Sequence, residues 1–207
     1  MKLRALFVGL LTVLCGQVCA ADAVALLKNF SFNAASVSGR FSQLSPENAS
    51  ELSSGRFSFS KPGKFLWQTE KPFKQTIVSD AKTLWIYDSD LNQVTVRDLK
   101  HSMNSGPAVL LSGGVDPETV FDLNDLGTKK DLSWVRAVPK GRENSFSALE
   151  IGFDSAGLPR QMRLEDQFGE STLYVLDPVN VPSKAGESVY EFKIPAEADV
   201  LKDTSSE

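Results

Sequence analysis

Six aromatic side chains crowd one short stretch of the chain: Phe57, Phe59, Phe65, Trp67, Trp85 and Tyr87. Such rings supply no acid, base or nucleophile. They supply apolar surface, about 150–250 Å² each when buried. Phe57 and Phe59 are two residues apart, as are Phe65 and Trp67, so each pair projects from one side of an extended strand. Leu84 and Ile86 share a side as well, opposite Trp85 and Tyr87, which makes that strand apolar on both faces. A double-sided apolar strand needs a cover on each side. Ordinary core packing accounts for any one of these residues; for the set, an apolar cavity is the better account.

Groups able to make or break bonds are sparse. The single histidine, His101, lies in the polar run Asp98-Leu99-Lys100-His101-Ser102 and is expected to be exposed. Glu165 and Asp166 are adjacent, so a strand would send them to opposite faces; Asp88 and Asp90 sit on a turn signal. No G-x-S-x-G, H-E-x-x-H, G-x-x-x-x-G-K-[ST] or G-x-G-x-x-G motif occurs. Neither a catalytic residue nor a metal site is expected. The net charge of −4 leaves no basic face for nucleic acid.

The elements that must position the aromatics are mostly strands. Asp22 can cap a helix reaching about Val37, with Val24, Leu26, Leu27 and Phe30 on one side. Beyond it the period is two, through Arg40–Gln43, Gly55–Ser60, Phe65–Trp67, Leu84–Tyr87, Val94–Val96, Leu149–Phe153, Met162–Leu164 and Leu173–Val175. Tyr190, Phe192 and Ile194 close the series. Turn signals separate these runs, among them Lys61-Pro62-Gly63, Ser79-Asp80 and Ser155-Ala156-Gly157. A mainly β fold is predicted, a meander of roughly ten strands of the kind that curls or closes. Gly106 to Gly114 and Asp116 to Phe121 interrupt it with proline starts and glycine stops. These two short helices suit a plug or lid over one end of the sheet, or a plain crossover.

Residues 1–20 have the form of a secretory signal: Lys2 and Arg4, an apolar run from Leu6 to Leu14, then Val18-Cys19-Ala20. The run is about half the ~20 residues that span a bilayer. Cleavage after Ala20 would remove both cysteines, Cys15 and Cys19, and leave residues 21–207 as one disulfide-free domain. Without Lys2 and Arg4 the formal charge falls from −4 to −6. Leu14 and Val18 precede the cysteines where a lipid-attachment motif would place a small residue.

The run Lys61-Pro62-Gly63-Lys64-Phe65-Leu66-Trp67, followed by Pro72, Gln75-Thr76-Ile77-Val78-Ser79-Asp80, Leu84-Trp85-Ile86-Tyr87-Asp88 and Gln93-Val94-Thr95, resembles the periplasmic outer-membrane lipoprotein carrier family, LolA. Gly106-Pro107-Ala108-Val109-Leu110-Leu111, Glu165-Asp166-Gln167-Phe168-Gly169, Phe192-Lys193-Ile194-Pro195 and Asp199-Val200 extend the likeness over the whole mature chain.

The resemblance implies an unclosed antiparallel half-barrel whose hydrophobic concave face is covered by the N-terminal helix and short lid helices. It implies a chaperone rather than an enzyme, with no cofactor. Such a carrier receives acylated lipoproteins from an ATP-driven lipoprotein-releasing complex in the inner membrane. It shields their acyl chains across the periplasm and delivers them to a receptor lipoprotein on the outer membrane; a monomer is expected. On the same resemblance Phe57, Phe59, Phe65, Trp67, Leu84, Ile86, Val109 and Leu110 contact acyl chains, and Lys61 is the lid gate, donating to lid backbone carbonyls. The family often has arginine at position 61 and glycine at position 81, where this chain has Lys61 and Ala81. Lysine keeps the charge without the planar fork of donors. An alternative use of the same open barrel is to carry or sense another periplasmic lipid or glycolipid.

Overall fold

The computed structural model describes residues 22–33, 36–45, 50–99, 107–113, 115–141, 146–179 and 187–202. The expected signal segment, His101, Gly106 and Gly114 lie outside the described residues.

Helix α1 (Ala23–Asn33) starts where its cap predicts: the Asp22 carboxylate accepts the Val24 N–H at 2.9 Å. It ends at Asn33, short of the expected Val37, because β-branched Val37 is already paired with Phe59 in the first strand. The strands are β1 (Val37–Leu44), β2 (Glu51–Ser60), β3 (Lys64–Lys71), β4 (Gln75–Asp80), β5 (Thr83–Asp88), β6 (Gln93–Asp98), β7 (Phe121–Lys129), β8 (Leu132–Pro139), β9 (Ala148–Phe153), β10 (Pro159–Glu165), β11 (Ser171–Val179) and β12 (Asp199–Lys202). Among the described residues the sheet therefore has twelve strands rather than ten. Its order is β12-β6-β5-β4-β3-β2-β1-β11-β10-β9-β8-β7, with β12 and β7 at the two ends, so it is not closed. All of these pairings are antiparallel except β12 on β6.

Two short helices, α2 (Pro107–Ser112) and α3 (Pro117–Val120), fall between β6 and β7 as the proline and glycine signals require. The Asp116 carboxylate caps α3 by accepting the Glu118 N–H at 3.0 Å. Helix α1 packs on β7, β8 and β9, whereas α2 packs on β2 and β3, and the two helices touch each other. Those strands lie on opposite halves of the sheet, so contact with both forces the sheet to curl around the helices. The inner face carries one continuous apolar core, including Leu27 and Phe30 of α1, Leu111 of α2, Phe41, Phe57, Phe65, Leu149, Ile151 and Leu176.

The predicted strand through Tyr190, Phe192 and Ile194 does not form. Glu187–Tyr190 is a 3-10 turn, and residues 191–195 belong to no strand; Pro195 has no N–H to give a ladder. This strap lies on the outer face. The Tyr190 hydroxyl and Ser58 Oγ share a hydrogen bond of 2.7 Å, and the Phe192 ring sits 6.1 Å from Trp85 and 5.8 Å from Tyr87. The strap is the outer cover that the double-sided strand β5 demands, and the helices with the opposite sheet half supply the inner one.

Ala81 occupies the left-handed region at φ 80° in the β4–β5 turn, where Asp80 accepts the N–H groups of Lys82 and Thr83. An L-residue held there stores about 1–2 kcal/mol that glycine does not. Ala81→Gly is expected to raise the melting temperature by roughly 2–4 °C for each kcal/mol released. A calorimetric scan showing a lower melting temperature would contradict this account of the turn.

Candidate functional site

Strand alternation sorts side chains onto two faces, and the register aligns the inner ones. Phe57 lies opposite Trp67 and Phe59 opposite Phe65 across β2 and β3. Trp67 continues to Ile77 on β4, and Ile77 to Ile86 on β5; Leu84 is the next inward residue of β5. Phe57, Phe59, Phe65, Trp67, Leu84 and Leu110 all belong to one buried cluster, with Ile86 packed against it. Val109 is in α2, and its side chain lies outside the described residues. Apart from Val109, the structure thus gathers the sequence-nominated apolar residues into one trough, filled by α1 and α2.

Two aromatic partners escaped the sequence reading. Phe41 stacks on Trp67 with centroids 4.1 Å apart, and Tyr174 meets the same indole edge-on at 5.8 Å. Phe41 comes from β1 and Tyr174 from β11, strands joined in the sheet though distant in sequence. Gly55, opposite Phe41, makes room for this layer: a Cβ there would stand 2.9 Å from the Phe41 ring. A glycine inside a strand pattern is the sequence signal for such close approach. Burial raises the Tyr174 hydroxyl above its usual titration range.

Lys61 leaves the end of β2 beneath the helices. Its Nζ donates to the carbonyl oxygen of Phe30 and stands 3.9 Å from the centroid of the Phe30 ring. The expected acceptors were carbonyls of the 107–112 helix; among the described residues the acceptor belongs to α1 instead. The reason is local. Helix α1 ends at Asn33, so the Phe30 carbonyl is among the last four, which have no partner inside the helix. Lys61 still reaches the lid through its stem, which would come within 3.1 Å of a Cβ on Gly113, just past α2. The neighbouring Gly63 N–H donates to the Ser112 carbonyl at 3.0 Å. Burial lowers the Lys61 ammonium from 10.5 to about 7.

At the opposite end of these strands the inner face turns polar. Gln43, Ser53, Thr69, Pro72, Phe73, Gln75, Asp88, Asp90 and Leu91 line an open cavity of about 560 Å³. Phe73 and Leu91, on the hairpin tips at its edge, are exposed. Glu165, considered above beside Asp166, is tied on the outer face to Arg136 at 3.1 Å, and Arg136 also holds Glu150. It is part of a surface ion network.

The arrangement offers sequestration rather than bond chemistry: an apolar trough, a two-helix cover with a buried amine under it, and a polar mouth. A family model described as "Outer membrane lipoprotein carrier protein LolA" matches residues 33–193. The chain is 38% identical over 186 residues to an outer-membrane lipoprotein carrier protein of Nitrosospira multiformis, covering 88% of this chain and 90% of that one. It is 39% identical to one from Chromobacterium violaceum over 182 residues, covering 87% and 88%. A solved structure of an uncharacterized conserved protein from Thermus thermophilus shares the fold, with a TM-score of 0.55 at 14% identity, covering 87% of this chain and 97% of that one.

Proposed function

The chain belongs to the LolA family of outer-membrane lipoprotein carriers, and from that premise we propose that it carries acylated lipoproteins across the periplasm with their acyl chains in the trough under α1 and α2. The observation that carries this reading is the trough itself: a contiguous aromatic and aliphatic face, covered by two short helices that are too brief to be stable alone. Each methylene withdrawn from water contributes about 0.8 kcal/mol, so a lipid-anchored protein leaves a bilayer only if its chains are covered throughout. A carrier of this kind is no enzyme.

On this reading residues 21–207 form one domain, cleaved from the signal and working as a monomer in the periplasm. An ATP-driven lipoprotein-releasing complex in the inner membrane loads it, and a receptor lipoprotein on the outer membrane unloads it. Phe57, Phe59, Phe65, Trp67, Leu84, Ile86, Val109 and Leu110 become the acyl-chain surface once α2 moves away. Lys61 is the gate. It joins β2 to α1 beside the end of α2, so displacing the helices breaks its hydrogen bond and returns the amine to water. Among the described residues no helix is long and apolar enough to cross a membrane.

The three tryptophans provide the test. Trp67 faces inward; Trp85 lies outward under Phe192, and Trp134, next to inward Val135, also points outward. Loading the protein with a lipopeptide whose acyl chains carry bromine is expected to quench one emission component, and Trp67→Phe is expected to abolish that quenching. Quenching that survives Trp67→Phe would place the chains elsewhere. Mass spectrometry of the protein isolated from the periplasm then identifies the cargo class. A diacylglyceryl-cysteine peptide supports lipoprotein carriage, and free glycolipid alone supports the alternative.

A further inference from the structure

Along β1, β3, β4 and β5 the inner face changes character within two residues. The apolar layer is Phe41, Trp67, Ile77 and Ile86; two residues further along each strand, about 7 Å away, stand Gln43, Thr69, Gln75 and Asp88. Thr69 pairs with Gln75 and Gln75 with Asp88; Gln43 pairs with Ser53 one step further along, because Thr69 faces Gly55, the partner of Phe41. All five line the cavity of about 560 Å³, a volume within the usual range for a small-ligand site. Outward-facing polar residues on a strand need no explanation, but a polar row on the inward face, directly continuing an aromatic trough, does.

Resting on the carrier reading above, we infer that this polar row receives the ester and amide junction of the cargo's lipidated cysteine. Acyl chains end chemically in ester and amide carbonyls, and the polypeptide beyond them stays in water. The junction must therefore lie where apolar lining gives way to solvent, and in this structure that boundary is the Phe41–Trp67 stack. Carbonyl oxygens need donors. Ser53 Oγ donates to Gln43 Oε1 at 2.8 Å, which engages the amide oxygen and leaves the Gln43 N–H groups to meet an incoming acceptor. Thr69 and Gln75 add a hydroxyl and a second amide to the same wall. Asp88 offers the complementary chemistry. One of its oxygens accepts the N–H groups of Asp90 and Leu91 at 3.0 and 3.1 Å, which fixes the carboxylate at the cavity wall, able to accept an N–H from the cargo's first peptide units. A plain fatty acid has neither the paired esters nor the amide, so the row distinguishes lipidated cysteine from loose lipid.

The experiment compares a dipalmitoylglyceryl-cysteine tetrapeptide with palmitate, each titrated against the full mature protein by Trp67 emission. The variants are Gln75→Met and, on a separate strand, Gln43→Met, both near-isosteric. The expected result is about a tenfold loss of lipopeptide affinity, the weight of one or two hydrogen bonds left unmade, with palmitate affinity within twofold of wild type. Equal losses for both ligands would make the row part of the chain trough and overturn the inference. Unchanged affinity for both would overturn it while leaving the carrier reading intact. A wild-type protein that binds neither ligand would overturn the carrier reading itself. If either variant fails to unfold cooperatively, the other decides.

Discussion

Gly55→Ala is expected to destabilise the protein by about 3 kcal/mol or more, at or beyond the upper range for overpacking a core. The alanine Cβ would fall 1.9 Å from the backbone carbonyl oxygen of Gln68 on β3 and 2.9 Å from the Phe41 ring. A carbonyl oxygen held in a sheet cannot swing aside as a flexible side chain can. Relief requires β2 and β3 to separate or the register to move, and the register already shifts between Ser54 and Gly55. The same Cβ pushes Phe41 off Trp67, so the layer dividing trough from mouth opens. Urea unfolding followed by tryptophan emission gives the measurement. A midpoint equal to wild type would show that β2 absorbs the methyl group and that the aromatic layer does not depend on Gly55.

The second large effect is in pH. The folded protein holds Lys61 with a pKa of about 7, lowered by burial from 10.5. Between those values the unfolded chain keeps a proton that the folded chain has shed. Stability therefore rises with pH across that window, by up to about 1.4 kcal/mol per pH unit, and Lys61 adds no slope below it. Lys61→Met removes the group, so its unfolding midpoint is expected to be flat from about pH 7 to 10 and higher than wild type at about pH 6. Tyr174, raised by burial from its ordinary 10.0, adds a slope of opposite sign only at the top of this window, from about pH 10 upward. Parallel curves for the two proteins would mean that the amine is solvated. The sign matters for the gate. In the closed form Lys61 gains the Phe30 carbonyl and ring but loses water, and below its folded pKa of about 7 the loss dominates. Closure over a charged Lys61 is thus poised to reverse, and raising the pH favours the closed form.

What the sequence makes legible here follows from how local each signal is. Period-two runs such as Phe57–Phe59 and Leu84–Ile86 identify strands and their inward sides from neighbours alone, and the structure places those residues in one cluster. Proline at 107 and Asp116 before Pro117 mark helices α2 and α3 just as locally. Failures occur where the deciding contact is distant. The hairpin β7–β8 carries Asp122, Asn124 and Asp125 at the edge of the sheet, which dilutes its alternation. Tyr190 and Phe192 alternate like a strand because they press one side onto Ser58 and Trp85, not because they pair. Phe41 and Tyr174 could not be joined to Trp67 without knowing that β1 lies beside β11. For Lys61 the basic character was legible, whereas its acceptor depended on where α1 ends. The polar row was hidden for the same reason as the stack: Gln43, Thr69, Gln75 and Asp88 look like ordinary solvent-facing residues until the register assigns their face.

The β1–β11 seam also governs how the molecule comes into being. Hairpins within β1–β6 and within β7–β11 close over short loops, but the pairing of Phe41 with Leu176 joins residues from opposite ends of the chain. Contacts so remote in sequence are slow to form, because the intervening chain must be ordered before they repay it. A polypeptide made from its N-terminus exposes Phe57, Phe59, Phe65 and Trp67 long before Ser171–Val179 exists to complete the wall. Folding is therefore timed by the last strands. Until they dock, the surface suited to holding an acyl chain is also the surface most open to misassociation.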